Sequence, residues 1–153
     1  MKKLIFCLLA MMAFAGCSKD DGVKIPDGGF KVGDMYVSKS KQGVVVRVNP
    51  DLKSGLIISS EDTLCNWEDA ASWTGTLGRE WRMPTVGELR DLYNVKAAVN
   101  DVLLEYGMSI IDGKNYWTDS DDGDSAWWVS MSNGSSSLDY KEYHRYARAV
   151  SEF

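Results

Sequence analysis

The sequence predicts an α+β fold with an antiparallel sheet, because strand-like segments occur at both ends of the domain and helical segments lie between them. Short runs rich in Val and Ile come first, and turn residues separate them. Apolar residues then recur at the three- and four-residue spacing of amphipathic helices. After Gly113 the pattern returns to alternating strands. Strands and helices do not alternate along the chain, so a parallel sheet is not expected.

The first three strands are expected at residues 34–38, 43–49 and 55–59. Turns that contain Gly or Pro separate them. Antiparallel pairing of neighbours is therefore the simplest arrangement.

Two to three helices are predicted. The first should begin after Asn66, whose side chain can cap it. The second begins with a capping-box pattern at Thr85 and Glu88. A third fits the apolar spacing of residues 99–106, and Gly107 should end it.

The C-terminal third is expected to form strands. In residues 125–132 side chains alternate, so Trp127 should point into the core and Trp128 to the opposite face, with serines. Trp128 is then a candidate for exposure or for a second packing layer. Asn133–Gly134 predicts a tight hairpin turn with positive φ at both residues. A last strand is predicted over residues 143–150.

The N-terminus predicts a lipoprotein. Two lysines precede an apolar run that is too short to span a bilayer, so residues 1–16 are expected to be a signal peptide. Small residues before Cys17 resemble a lipobox, which would make Cys17 the lipidated first residue. Residues 17–29 are then the lipidated N-terminus and linker, and residues 30–153 form one domain.

The residues directly after Cys17 bear on location. Ser18–Asp21 resembles the export tag of Bacteroidetes lipoproteins, which predicts an outer-membrane protein, lipid-anchored and facing the cell surface. A solvated tether explains these residues equally well, so surface and periplasmic orientations both stay open.

Cysteine usage and charge exclude several functions. Of the three cysteines, only Cys65 is left once Cys7 leaves with the signal peptide and Cys17 is acylated, so no intrachain disulfide is expected. Cys65 has no evident basic partner nearby and is a weak candidate nucleophile. The formal net charge of -5 makes nucleic acid and anionic membrane surfaces poor partners. Contact with a membrane is expected only through the lipid anchor.

Four separated motifs resemble one family. They are WRMPTVGELRDLYN (81–94), YWTDS (116–120), AWWVSMSNG (126–134) and YARAV (146–150). Together they resemble the C-terminal domain of the Legionella collagen-like protein, and are similar to the Fibrobacter succinogenes major paralogous domains. The resemblance implies a C-type-lectin-like fold, of the formylglycine-generating-enzyme kind. Such domains occur mostly on surface proteins, some of which bind glycans.

The resemblance also implies roles for individual residues. It assigns no catalytic residues to this sequence. The enzymes of this fold use paired cysteines to hold copper, whereas this chain keeps only Cys65. We therefore expect no enzyme activity. Arg82 and Arg148 are expected to be structural, with the guanidinium over an aromatic ring or bound to a buried carbonyl. The framework residues that the resemblance implies are Trp81, Pro84, Leu89, Trp117, Trp127, Val129 and Arg148.

An aspartate-rich loop is a candidate calcium site. Calcium takes six to eight oxygen ligands, and lectin-like folds often hold it in this region. The loop lacks EF-hand spacing, and a solvated loop is the alternative. An acid/base pair is less favoured, because nothing in such a wet loop would raise one pKa. The candidate metal ligands are Asp119, Asp121, Asp122 and Asp124.

The mixture of aromatic and small polar residues between 115 and 148 is typical of binding surfaces, where rings supply contact area and short polar side chains supply hydrogen bonds. Sugars use the same chemistry. The carboxylates should repel acidic polysaccharides, which favours a neutral glycan or a basic protein. Lys141, Arg145 and Arg148 would change this if they formed a separate positive edge. The predicted ligand-binding residues are Trp128, Tyr140, Tyr143 and Tyr146.

Two functions of different classes follow. The first is a lipid-anchored, adhesin-like binding module for a glycan or protein on a host or neighbouring cell. The second is a structural or assembly subunit of an envelope or fimbria-like complex, with its exposed aromatics as an interface. A contiguous apolar patch would favour the second, and aromatics mixed with carboxylates in a concavity would favour the first.

Overall fold

A computed structural model describes residues 22–153 and confirms the α+β class. Two helices and nine strands lie within those residues. The predicted signal peptide at residues 1–16 and the predicted lipidation site at Cys17 lie outside them. Over the described range, neither helix combines the length and apolar character needed to cross a membrane.

The first sheet has four antiparallel strands in the order β1-β2-β3-β9. Their bounds are β1 Met35–Val37, β2 Gln42–Val48, β3 Gly55–Ile58 and β9 Val150–Glu152. The predicted N-terminal strands and their antiparallel pairing are thus confirmed. The C-terminal strand completes this sheet beside β3.

The second sheet has five strands in the order β4-β8-β5-β6-β7. It is mixed, because β5 and β8 pair in parallel while the other neighbours are antiparallel. The prediction of an antiparallel sheet is therefore right for the first sheet and incomplete for the second. Its strands are β4 Thr63–Cys65, β5 Asn115–Asp122, β6 Ser125–Ser130, β7 Ser136–Tyr140 and β8 Arg145–Ala147.

Both helix starts follow the predicted caps. Helix α1 spans Trp67–Thr76, and the Asn66 side chain accepts a hydrogen bond from a backbone amide of its first turn. Helix α2 spans Val86–Glu105 and begins with a complete capping box between Thr85 and Glu88. The predicted third helix is wrong as a separate element. The apolar stripe continues without a break, so residues 99–105 extend α2, and Gly107 follows it with a φ of 67°.

Helix α2 packs against both sheets and forms the main hydrophobic core with them. A second cluster lies on the other face of the first sheet, around Phe30, Tyr36 and Trp81. A third lies between α1 and the second sheet, around the fully buried Trp117. This third cluster supports the surface on which the candidate site lies.

The two adjacent tryptophans differ from the prediction. Trp127 is half-buried and belongs to none of the three clusters, whereas Trp128 is half-buried and packs against the third cluster beside α1. The prediction of a core Trp127 is therefore wrong, whereas Trp128 lies in a second packing layer, which was the predicted alternative to exposure. The alternation itself is correct, but helices cover both faces of this sheet, so neither face is simply solvent.

Two other C-terminal predictions need correction. The expected strand over residues 143–150 divides, because the chain leaves the second sheet after Ala147 and enters the first at Val150. The β6–β7 hairpin is present, but residues 131–135 connect it, and Gly134 donates a backbone hydrogen bond to Ser130 across this longer turn. Gly134 has a φ of 73° but Asn133 does not have a positive φ, so the predicted conformation is confirmed only at Gly134, where a Cβ would lie 2.7 Å from the Tyr93 ring.

Candidate functional site

Three separate segments meet at one end of the second sheet. They are the β5–β6 turn, the β7–β8 turn and the start of α1. The Lys141 amide donates to the Asp124 carbonyl at 2.9 Å, and the Trp67 amide donates to the Lys141 carbonyl at 3.0 Å. Backbone hydrogen bonds therefore fix the relative positions of the three segments independently of their side chains.

A cleft of about 450 Å³ opens where these segments meet. Its wall combines three carboxylates, an amide, an ammonium group and one phenol ring. The residues are Asn66, Glu68, Asp124, Tyr140, Lys141 and Glu142. We call this the first cleft. Such a wall can accept hydrogen bonds from hydroxyl groups and can stack one apolar ring face.

Aromatic rings border the first cleft on one side. Tyr140 and Tyr143 are 56% and 49% exposed, and their rings meet edge to face with centroids 5.7 Å apart. Because the two rings support each other, the Tyr140 ring is held in place without being buried.

A second cleft, of about 350 Å³, lies on the other side of the first turn of α1. Its wall is mostly apolar and includes Trp67, Ala71 and Gly75 from α1. Arg82 and Asp119 supply the charges. The Trp67 indole nitrogen donates to the Thr118 carbonyl at 2.8 Å, which ties α1 to β5.

The positively charged residue of the second cleft is already paired. Arg82 binds both carboxylate oxygens of Glu88, at 2.8 and 2.6 Å. Burial alone would raise the pKa of Glu88, but the hydrogen bonds from Arg82 and Thr85 outweigh it and lower that pKa below its usual value. Arg82 is therefore structural, as predicted, and the exposed Asp119 carboxylate is the less compensated charge at this cleft.

Only part of the predicted ligand-binding set comes together. Tyr140 lines the first cleft and Tyr143 packs against its ring, whereas Trp128 and Tyr146 line neither cleft. The Arg145 guanidinium lies 4.3 Å from the Trp128 ring centroid. Tyr146 packs against the main core beside Tyr116, because it points to the α2 side of the sheet. Grouping all four on one binding face is therefore wrong.

The aspartate loop does not converge on one point. In the β5–β6 register Asp121 faces Ala126 and Asp122 faces Ser125, so these neighbours point to opposite faces of the sheet. Asp121 is engaged by the Lys141 ammonium group at 2.5 Å. Across residues 22–153, no group of three or more His, Cys, Asp or Glu side chains is placed to hold a metal ion. Asp119, Asp121, Asp122 and Asp124 do not fit a common calcium site in this arrangement, and calcium binding stays a prediction.

The three basic residues that could have formed a positive edge do not form one. Lys141 pairs with Asp121, and Arg145 pairs with Asp139. Arg148 is buried, and its guanidinium donates to two backbone carbonyls, as predicted. The surface around the first cleft therefore keeps its excess of carboxylates.

Cys65 is poorly suited to act as a nucleophile. Burial raises the pKa of its thiol, and the Asp69 carboxylate raises it further. The reactive thiolate form is therefore disfavoured at neutral pH.

Sequence reasoning missed half of the first cleft. Asn66 was identified only as a helix cap, and Glu68 and Glu142 were not singled out. These residues are distant from Asp124 along the chain, and only the contacts of the β7–β8 turn with the β5–β6 turn and with α1 bring them together. The cap at Asn66 was the one available indication, because it fixes where the helix begins.

The chain was compared with models of protein families and with curated proteins. A family model described as the Lcl C-terminal domain matches residues 38–151. That range includes both clefts and both helices. No curated protein matches the chain.

Proposed function

Because the chain belongs to the Lcl C-terminal domain family, we propose that it is a non-catalytic binding module that recognises a neutral glycan through the first cleft. Membership of this family indicates a surface or secreted module. The ligand, the cleft and the absence of catalysis are our proposals. The observation that best supports these proposals is the wall of the first cleft, where the Tyr140 ring lies among carboxylate and amide groups.

The composition of the first cleft favours a neutral partner. Glu68, Asp124 and Glu142 offer acceptors to sugar hydroxyls, and the Tyr140 ring offers stacking area. An anionic polymer would meet these carboxylates, while the nearest ammonium group, on Lys141, is already paired. Since the aspartates do not converge, we propose that the carboxylates act directly and without calcium.

The finer fold assignment is also a proposal. We propose a C-type-lectin-like arrangement, supported by two helices, two sheets and a C-terminal strand that pairs with an N-terminal one. An experimental structure that superposes on lectin domains with the same chain path would support this assignment. A different strand order would refute it.

Replacing Tyr140 with Ala should weaken glycan binding about tenfold, because the stacking ring is lost. The measurement is a neutral-glycan array followed by titration of the best ligand, with calcium and with a chelator. Tyr106→Ala is the matched control: Tyr106 is 55% exposed and lines neither cleft. Equal binding by the Tyr140 and Tyr106 variants would reject the first cleft. A chelator that abolishes wild-type binding would reject direct recognition by the carboxylates.

The proposed location is the outer membrane, lipid-anchored through Cys17 and facing the cell surface. Cys17→Ala should abolish lipid labelling and release the protein from the membrane fraction, since one residue would hold every acyl chain. A variant that stays labelled and membrane-bound would exclude the lipoprotein assignment. Protease applied to whole cells separates the two orientations: digestion of the wild-type domain supports the surface, and protection supports the periplasmic side.

An assembly subunit is the second candidate. The observation in its favour is that β7 is an edge strand on which Leu138 and Tyr140 are exposed, so its free backbone groups could pair with another chain. Self-association that rises with concentration and disappears when Leu138 is replaced by Lys would favour assembly. A monomer at all concentrations would favour the binding module.

A further inference from the structure

The two clefts share a wall. The Lys141 side chain lines the first cleft, and the Trp67 ring lines the second. The Lys141 ammonium group lies 4.5 Å from the Trp67 ring centroid, so these two side chains are packed against each other. The clefts are therefore neighbours, and the packed side chains of Lys141 and Trp67 form the wall between them.

The aspartate segment runs along both clefts. Asp119 lines the second cleft, Asp121 holds Lys141 in the shared wall, and Asp124 lines the first cleft. Along an extended strand, the three steps from Asp119 to Asp122 already cover about 10 Å. This length exceeds one sugar ring, so a ligand that fills both clefts must have more than one unit.

The chemistry of the two clefts is complementary. The first is rich in hydrogen-bonding groups, whereas the second has an apolar floor from Trp67, Ala71 and Gly75. Ala71 and Gly75 are small and exposed one helical turn apart, which leaves the side of α1 open for a ligand to approach. An oligosaccharide has hydroxyl edges and apolar ring faces, and it can use both surfaces along its length.

We infer that the two clefts are consecutive subsites for one extended neutral oligosaccharide, with the first cleft binding hydroxyl groups and the second stacking an apolar ring face. This inference rests on the proposed function and adds a ligand size to it. An anionic polymer is disfavoured in both subsites, because Glu68, Asp119, Asp124 and Glu142 are acidic and the cations Arg82 and Lys141 are paired.

The test uses the length of the ligand. The purified full chain is titrated with cello-, chito-, malto- and manno-oligosaccharides of one to six units. For the series that binds, affinity should rise by roughly tenfold or more between the shortest ligand that binds and the tetramer, and then level off as both subsites fill.

A blocking variant identifies the second subsite. A Cβ built on Gly75 meets no atom within 4 Å and Gly75 has ordinary helical φ, so Gly75→Leu should fold normally while filling the cleft. It should remove most of the gain from added units and leave binding of the shortest ligand unchanged. Gly75→Ala is the matched control, because it makes the same change in helix propensity but adds only a methyl group.

The outcomes separate the two proposals. If no oligosaccharide in any of the four series binds the wild type, both the proposed function and this inference fail. If short ligands bind but added units bring no gain, or if Gly75→Leu keeps the full gain, the proposed function stands and the inference fails. Stronger binding to sulfated or uronic-acid oligosaccharides than to neutral ones would also overturn it.

Discussion

Replacing Arg148 with Met should lower the free energy of unfolding by about 3–5 kcal/mol, because it removes two buried hydrogen bonds to backbone carbonyls and the positive charge that faces Asp62. The Arg148 side chain is fully buried and donates to the carbonyls of Ser60 and Ser109, at 3.0 and 2.7 Å. Its guanidinium also lies 4.0 Å from the Asp62 carboxylate. Methionine fills similar volume but can donate to neither carbonyl.

The position of Arg148 makes the loss larger than that of one ordinary hydrogen bond. Ser60 lies where the chain passes from β3 in the first sheet to β4 in the second. Arg148 lies where it returns from β8 to β9. The guanidinium therefore joins the two segments in which the chain passes between the sheets. A backbone hydrogen bond between Ser59 and Ala149 joins the same two segments.

Equilibrium denaturation followed by circular dichroism measures this effect. Arg90→Met is the control, because the Arg90 guanidinium makes an exposed hydrogen bond to Ser136, and its loss should cost less than about 1 kcal/mol. A denaturation midpoint for Arg148→Met equal to that of the wild type would show that the buried guanidinium does not stabilise the two segments that connect the sheets.

Trp117→Ala should cost a similar amount, about 3–5 kcal/mol, because Trp117 is the fully buried tryptophan of the third cluster. Truncation leaves a cavity between α1 and the second sheet. It also leaves the Cys65 carbonyl without the hydrogen bond from the indole nitrogen, which measures 3.1 Å. Since this cluster supports α1, ligand affinity should fall along with stability.

Trp127→Ala and Trp128→Ala are the variants with which the stability of Trp117→Ala is compared. Both side chains are half-buried, so each truncation should destabilise the protein less than loss of Trp117. The unfolding free energies of the three variants give the order directly. A larger loss at Trp127 than at Trp117 would contradict the assignment of the third cluster as the support of α1.

Much of the fold follows from local sequence. The caps at Asn66 and Thr85 are local hydrogen-bond patterns, so the helix starts could be predicted to the residue. Strand β4 could not, because Thr63–Cys65 is too short for an alternating pattern. The change of sheet after Ala147 was equally hidden, since no Gly, Pro, Asn or Asp marks a turn within residues 143–150. Only tertiary pairing with β3 divides that strand.

The candidate site was predictable in part for the same reason. Tyr140 and Asp124 lie in the C-terminal region whose aromatic and acidic composition indicated binding, and both line the first cleft. Trp128 was misplaced because strand alternation tells which face a side chain is on, but not whether a helix covers that face. The second cleft depends on how α1 packs against β5, which no local pattern contains.

The central claim is that the first cleft binds the ligand, and mapping the bound ligand by NMR tests it most directly. The ¹⁵N-labelled protein is titrated with the shortest neutral oligosaccharide that binds, and the shifted amide signals are assigned. We predict shifts concentrated at the Asn66 side-chain amide and at the backbone amides of Asp124, Tyr140 and Lys141. Shifts concentrated along α2 or at the β4 edge, with the signals of these four residues unmoved, would contradict the account.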